Sequence, residues 1–124
     1  MAKLHELIYS PERASGEAVS KIEAHTPKIE APDKVKADEP FEIRVWVGPH
    51  PNTVEHSIRW IEVYFEEDGR SFNPYLLARF MPEPGITEPD LRIRVRLKKS
   101  GTIHAIEYCN LHGLWENSKR IEVE

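Results

Sequence analysis

The sequence is poor in sulfur: 124 residues hold one cysteine, Cys109, and two methionines, Met1 and Met81. A lone thiol excludes any intrachain disulfide, so nothing calls for an oxidising compartment, and a reducing cytoplasm is the expected location. Glutamine is absent and asparagine occurs only four times, which with ten prolines leans towards the composition of thermophilic proteins. Long apolar runs are missing as well. No stretch approaches the roughly 18 apolar residues that a membrane helix needs. Met1–Ser20 is broken by His5, Glu6, Pro11, Glu12 and Arg13, so neither a spanning segment nor an export signal is expected. A basic excess is lacking too: the net charge is −4 and the pI about 5.9, which argues against nucleic acid as a partner.

What is present suits one folded domain. A chain of this length buries roughly 65–70% of its extended surface on folding. Hydrophobic residues make up 40% and charged residues 31%, at the polar end of the globular range but not in the disordered one. Leu4, Leu7 and Ile8 have helical spacing, and Pro11, Ser15 and Gly16 follow as a loop, so residues 1–22 read as an N-terminal arm.

From Lys28 the period becomes two. Phe41, Ile43, Val45 and Val47 share one face of a strand, and Leu91, Ile93, Val95 and Leu97 oppose Arg92, Arg94 and Arg96 on another. Further strands are predicted at Ile58–Phe65, Tyr75–Phe80, Thr102–Tyr108 and Arg120–Val123, with a shorter one near Lys28–Ala31 or Asp33–Ala37. Proline, glycine and aspartate clusters separate them. About seven strands at such spacing predict an all-β, antiparallel immunoglobulin-like sandwich over residues 23–124.

Two segments break the strand pattern, Gly48–His56 and Tyr108–Trp115, and both read as loops at the end of the sandwich. In the second, Cys109 and His112 stand at C-x-x-H spacing, close enough to grip one ion. In the first, His50 and His56 bracket a turn that would return both rings to one side. His25, beside Pro27, is a third source of imidazole. His5 and His104 have no such neighbours and read as surface groups. The Arg92/Arg94/Arg96 stripe reads as a solvated strand face, and Trp46, Trp60 and Trp115 as packing residues. Three metals suit the set differently. A structural zinc usually takes more sulfur than one cysteine, a blue copper wants a methionine after His112 that is absent, and four imidazoles with one thiolate suit a five-coordinate non-haem iron with an open position. An iron oxidoreductase, a cupredoxin-like electron carrier and a zinc-stabilised binding module therefore all stand at this point.

His50-Pro-Asn-Thr-x-Glu-His56, the Ile-Arg-Trp-Ile-x-Val-x-Phe run after it, and Tyr-Cys109-Asn-Leu-His112-Gly-Leu-Trp-Glu-Asn together resemble the superoxide reductases, or neelaredoxins, from about Glu23 to the C-terminus. The resemblance implies an immunoglobulin-like sandwich holding one mononuclear iron, with His25, His50, His56 and His112 equatorial and Cys109 axial. It implies one-electron reduction of superoxide to hydrogen peroxide without release of oxygen. With one cysteine, the chain corresponds to the one-iron form. The trans thiolate would push electron density towards the departing peroxide, moderated by the N–H groups of Leu111 and His112. A glutamate of the family, the sixth ligand of the oxidised state, aligns with Glu23.

The family commonly reads Glu-Lys-His-Val-Pro where this chain reads Glu23-Ala24-His25-Thr26-Pro27, so the usual active-site lysine is missing. Lys21 is the candidate substitute, on the expectation that it shares a side with Glu23 in an extended segment. The resemblance further implies a rubredoxin-like electron donor, for which the Arg92/Arg94/Arg96 face is one candidate surface. It also implies a homotetramer, or alternatively a dimer.

Overall fold

A computed structural model describes all residues, 1–124. Strands β1 (Lys28–Glu30), β3 (Phe41–Trp46) and β6 (Asp90–Val95) form a three-stranded antiparallel sheet in the order β1-β3-β6. Strands β2 (Lys34–Val35), β4 (Ile58–Glu67), β5 (Tyr75–Phe80), β7 (Gly101–Cys109) and β8 (Gly113–Val123) form the second sheet, ordered β2-β8-β7-β4-β5. The predicted sandwich is present, with two differences. Both short candidates near residue 30 are strands, giving eight in all, and β2 runs parallel to β8.

Alternation explains the core. Ile43 and Val45 of β3 meet Ile61, Val63 and Phe65 of β4 and Ile103 and Ala105 of β7, all buried. At roughly 1.5–3 kcal/mol per buried aliphatic or aromatic side chain, these inward faces supply most of the driving force that sets the two sheets together. β8 extends well beyond the predicted Arg120–Val123. Its middle, Glu116–Lys119, lacks alternation, yet it pairs residue for residue with β7 from Cys109↔Gly113 to Gly101↔Ile121. Ladder hydrogen bonds to β7, rather than burial, carry that stretch.

The arm is not a free tail. A 3-10 turn covers Leu4–Leu7 with both leucines exposed, so the apolar patch does not enter the core. Tyr9 then bridges to β8, its N–H donating to Leu114 and its carbonyl accepting from Glu116. A second 3-10 segment, Gly16–Lys21, runs directly into the one-turn helix α1 (Ile22–His25). No helix is long and apolar enough to cross a membrane.

Candidate metal centre

Three pieces of chain converge at one end of the sandwich. Cys109 is the last residue of β7, not part of a long loop, and β8 starts again at Gly113 after only Asn110, Leu111 and His112. So tight a return needs a positive φ on leaving the loop. Gly113 supplies it at 82°, a conformation a side chain would strain. The His50–His56 segment closes on Thr53, whose N–H donates to the His56 carbonyl and whose hydroxyl accepts from the His56 N–H. That turn brings the two rings to the same side, as the spacing predicts. His25 arrives on α1.

The four imidazoles form a closed square. Centroids lie 4.7 Å apart for His25–His50, 4.6 Å for His50–His56, 5.2 Å for His56–His112 and 4.8 Å for His112–His25, each pair edge to face. The Cys109 sulfur lies 3.5 Å from His50 Nε2 and 3.8 Å from His112 Nδ1. Ligand atoms of His25, His50, His56 and Cys109 all fall within 4.8 Å of one another. The sequence-predicted set is thus brought together, while His104 pairs with Glu66 on the sheet surface and His5 stays exposed.

The donor chemistry favours a cation at the centre of this square. His25 Nδ1 lies 2.9 Å from the Lys21 carbonyl and His50 Nδ1 2.7 Å from that of Pro51, contacts that fix the proton on Nδ1 and leave each Nε2 as a bare lone pair. Those two Nε2 atoms then face each other at 3.1 Å, and His25 Nε2 stands 3.2 Å from His112 Nδ1. Lone pairs facing so closely repel unless a proton or a metal lies between them. Adjacent imidazole nitrogens each about 2.1 Å from a metal, at right angles, would be about 3 Å apart. His56 Nε2 is buried with no hydrogen-bond partner, a fourth donor without an acceptor of its own.

Electrostatics keep the donors in ligating form. Burial and the neighbouring imidazoles push His25 down to about 4, overriding the opposing Lys21 carbonyl. His50 is lowered by burial and by His56 and His112, and His112 by burial, Lys21 and His56. All three are neutral at physiological pH. Burial, and to a lesser extent the Glu107 carboxylate, raises the Cys109 thiol, opposed by the N–H groups of Leu111 and His112 and by the Arg59 charge. Those two N–H groups are the donors expected from the sequence.

Braces hold the pieces in register. Asn110 donates to the Glu55 carbonyl at 2.8 Å and accepts from the Ser57 N–H at 3.0 Å, tying the hairpin to the His50–His56 loop. Lys28 Nζ spans the carbonyls of Glu23 and Gly48, joining α1 to the same loop. Neither brace was singled out in the sequence, because both act through backbone groups distant along the chain. Glu107, also missed, lies fully buried two residues before Cys109 with neither oxygen partnered, and burial pushes it up to about 9. It is therefore protonated at pH 7 in the metal-free chain. Its signal was an acid on the inward face of an alternating strand, Ile103-x-Ala105-x-Glu107-x-Cys109.

Glu23 and Lys21 differ from expectation. Glu23 is exposed and stands outside the group of converging ligand atoms. The segment is helical rather than extended, so Lys21 does not share a side with Glu23. It stands instead four residues before His25, on the same helical face. There Lys21 borders a cleft with His112.

The desulfoferrodoxin family profile matches residues 17–118. The chain belongs to the desulfoferrodoxin family. It is similar to the superoxide reductase of Pyrococcus abyssi, 41% identical over 82% of this chain and 90% of that one. It is also similar to the neelaredoxin of Megalodesulfovibrio gigas, 37% identical over 84% of this chain and 91% of that one. Among solved structures, the superoxide reductase (neelaredoxin) of Ignicoccus hospitalis superposes with a TM-score of 0.93 at 64% identity, covering 99% of this chain and 100% of that one. That match takes in the arm, which the motifs alone left outside the family resemblance.

Proposed function

We propose that this desulfoferrodoxin-family chain is a superoxide reductase, using one iron that His25, His50, His56 and His112 would hold together with the Cys109 thiolate. The observation that carries the reading is the square of imidazoles whose ring nitrogens converge beside a single buried thiol. Bound iron supplies the electron that, with two protons, converts superoxide to hydrogen peroxide. The chain's own residues set the conditions: carbonyls of Lys21 and Pro51 orient two rings, and the N–H groups of Leu111 and His112 stabilise the thiolate.

Lys21 offers the positive charge that Ala24 does not, attracting the superoxide anion towards the His25–His112 edge. Glu23, exposed two residues before His25, would be the further ligand to oxidised iron. Glu23→Ala would then alter the oxidised spectrum while retaining iron, and loss of iron would contradict that role. The electron donor is a rubredoxin-type protein docking on the β6 stripe, where Arg94 and Arg96 make no ion pair while Arg92 meets Glu42. A reduction rate insensitive to salt would remove that surface. The protein works in the reducing cytoplasm as a homotetramer.

Metal analysis with an optical spectrum tests the centre. One iron per chain and a thiolate-to-Fe(III) band on oxidation are expected. Intense blue copper absorption or colourless zinc would overturn the assignment.

A further inference from the structure

The site has an aromatic connection to the surface that superoxide reduction does not require. Trp115 is buried and stacks on His25, with ring centroids 5.4 Å apart at 29°. Its indole N–H donates to the His112 carbonyl at 3.0 Å, so it touches two of the proposed ligand residues. Tyr9 packs against Trp115 with ring centroids 4.9 Å apart at a tilt of 32°, and is 38% exposed. Its placement is fixed: both backbone groups of Tyr9 are bonded to β8, by N–H to Leu114 at 2.9 Å and by carbonyl to Glu116 at 2.8 Å. Tyr9, Trp115, His112, Glu17 and Lys21 line one open cleft of about 490 Å³.

We propose that Trp115 and Tyr9 form a protective relay that carries oxidising equivalents from the metal centre to the surface, so that attack by peroxide ends on the Tyr9 phenol instead of on the ligands. This rests on the superoxide reductase reading, in which each turnover leaves hydrogen peroxide next to iron that the electron donor then returns to the ferrous state. Peroxide that reacts there takes two electrons from the centre and, with two protons, leaves as two waters. Starting from ferrous iron held there, one electron drawn from Tyr9 through Trp115 would leave the iron ferric. The phenol gives its proton to water in the cleft and becomes a neutral phenoxyl radical. One electron and one proton from a small thiol restore it.

The order of the two rings suits this direction. The Trp115 N–H faces a carbonyl, a poor base, so an oxidised indole keeps its proton and passes the charge on. Tyr9 opens to solvent, where proton loss traps the oxidising equivalent. Stacked contacts of about 5 Å make a continuous path from ligand to surface, and Tyr9 is the first ring on it that a soluble reductant can reach.

The test is to mix the reduced, iron-loaded full chain with one equivalent of hydrogen peroxide and freeze-quench for electron paramagnetic resonance, followed by peptide mass spectrometry. A tyrosyl signal is expected that disappears in Tyr9→Phe, a variant that preserves the stack, and persists in Tyr108→Phe. Oxidation of Cys109 and of the ligand histidines should rise several-fold in Tyr9→Phe. A radical that survives Tyr9→Phe, or equal ligand oxidation in both proteins, overturns the relay. Iron-loaded protein that leaves superoxide unreduced overturns the assigned function instead. Added peroxide decides the relay in either case.

Discussion

His25 shows how local chemistry settles at the level of single residues. The Lys21 carbonyl that accepts from Nδ1 also fixes which nitrogen faces the centre, and burial keeps the ring neutral. The same helical turn places Lys21 beside the site. Lys21→Ala is expected to slow the second-order reaction with superoxide by roughly two- to fivefold and to flatten its dependence on ionic strength, because a nearby cation raises the local concentration of an anion. Pulse radiolysis at two salt concentrations measures this, and an unchanged rate removes Lys21 from the reaction. Glu107 behaves oppositely to an ordinary surface acid. Its folded pKa lies near 9 against 4.5 in the unfolded chain, so the native state binds more protons across that window and loses stability as pH rises through it. Glu107→Leu should therefore stabilise the metal-free protein by about 2–3 kcal/mol at pH 7, with the gain shrinking towards zero as pH falls to 4.5. Urea unfolding at pH 5 and 7.5 reads the difference, and a gain equal at both values would mean that Glu107 is not held neutral by its burial.

Among the secondary elements, what could be read from the sequence was whatever burial alternates. β3 and β6 fall within two residues of where the period of two predicts them, because each turns alternate apolar residues towards the core. β8 was underestimated because its pairing with β7 spans Glu116–Lys119, where no apolar rhythm exists. The side on which Lys21 falls was misjudged for a related reason: four residues of α1 are too few to show a helical period, and the turn is set by its contacts. The ligands were visible as C-x-x-H and the His50–His56 bracket, whereas Asn110 was not, since its partners lie more than fifty residues away. Asn110→Ala removes both side-chain ties between the hairpin and the His50–His56 segment, leaving the backbone bond from Asn110 N–H to the Ser57 carbonyl. Loss of such outer partners typically weakens metal binding by about 10–100-fold. Chelator competition on the iron-loaded variant should show a drop of at least about tenfold, with the antiparallel sheets intact by circular dichroism. Unchanged affinity would show that the two loops hold their positions without Asn110.

For the molecule as a whole, the architecture is a rigid sandwich that delivers three chain segments to one end, with the arm pinned across β8 so that α1 can supply His25. The outer edge is less self-contained. β5 is an edge strand, and Leu76 on it and Phe72 just before it are exposed, with Phe72 87% accessible. An open edge strand carrying apolar side chains is a ready surface for a second copy of the chain. Sedimentation equilibrium should give four chains of 14.4 kDa per particle, and a monomer at micromolar concentration would contradict the tetramer.

Reduction of superoxide at the His/Cys square is the reaction that decides the function. Reduced, iron-loaded protein should be mixed anaerobically with a limiting dose of superoxide while iron oxidation, peroxide and oxygen are followed together. One peroxide formed per superoxide consumed, one iron oxidised per peroxide and no oxygen released is the predicted result. Oxygen released at half the superoxide consumed would make the protein a dismutase, and iron that stays ferrous would remove superoxide as its substrate.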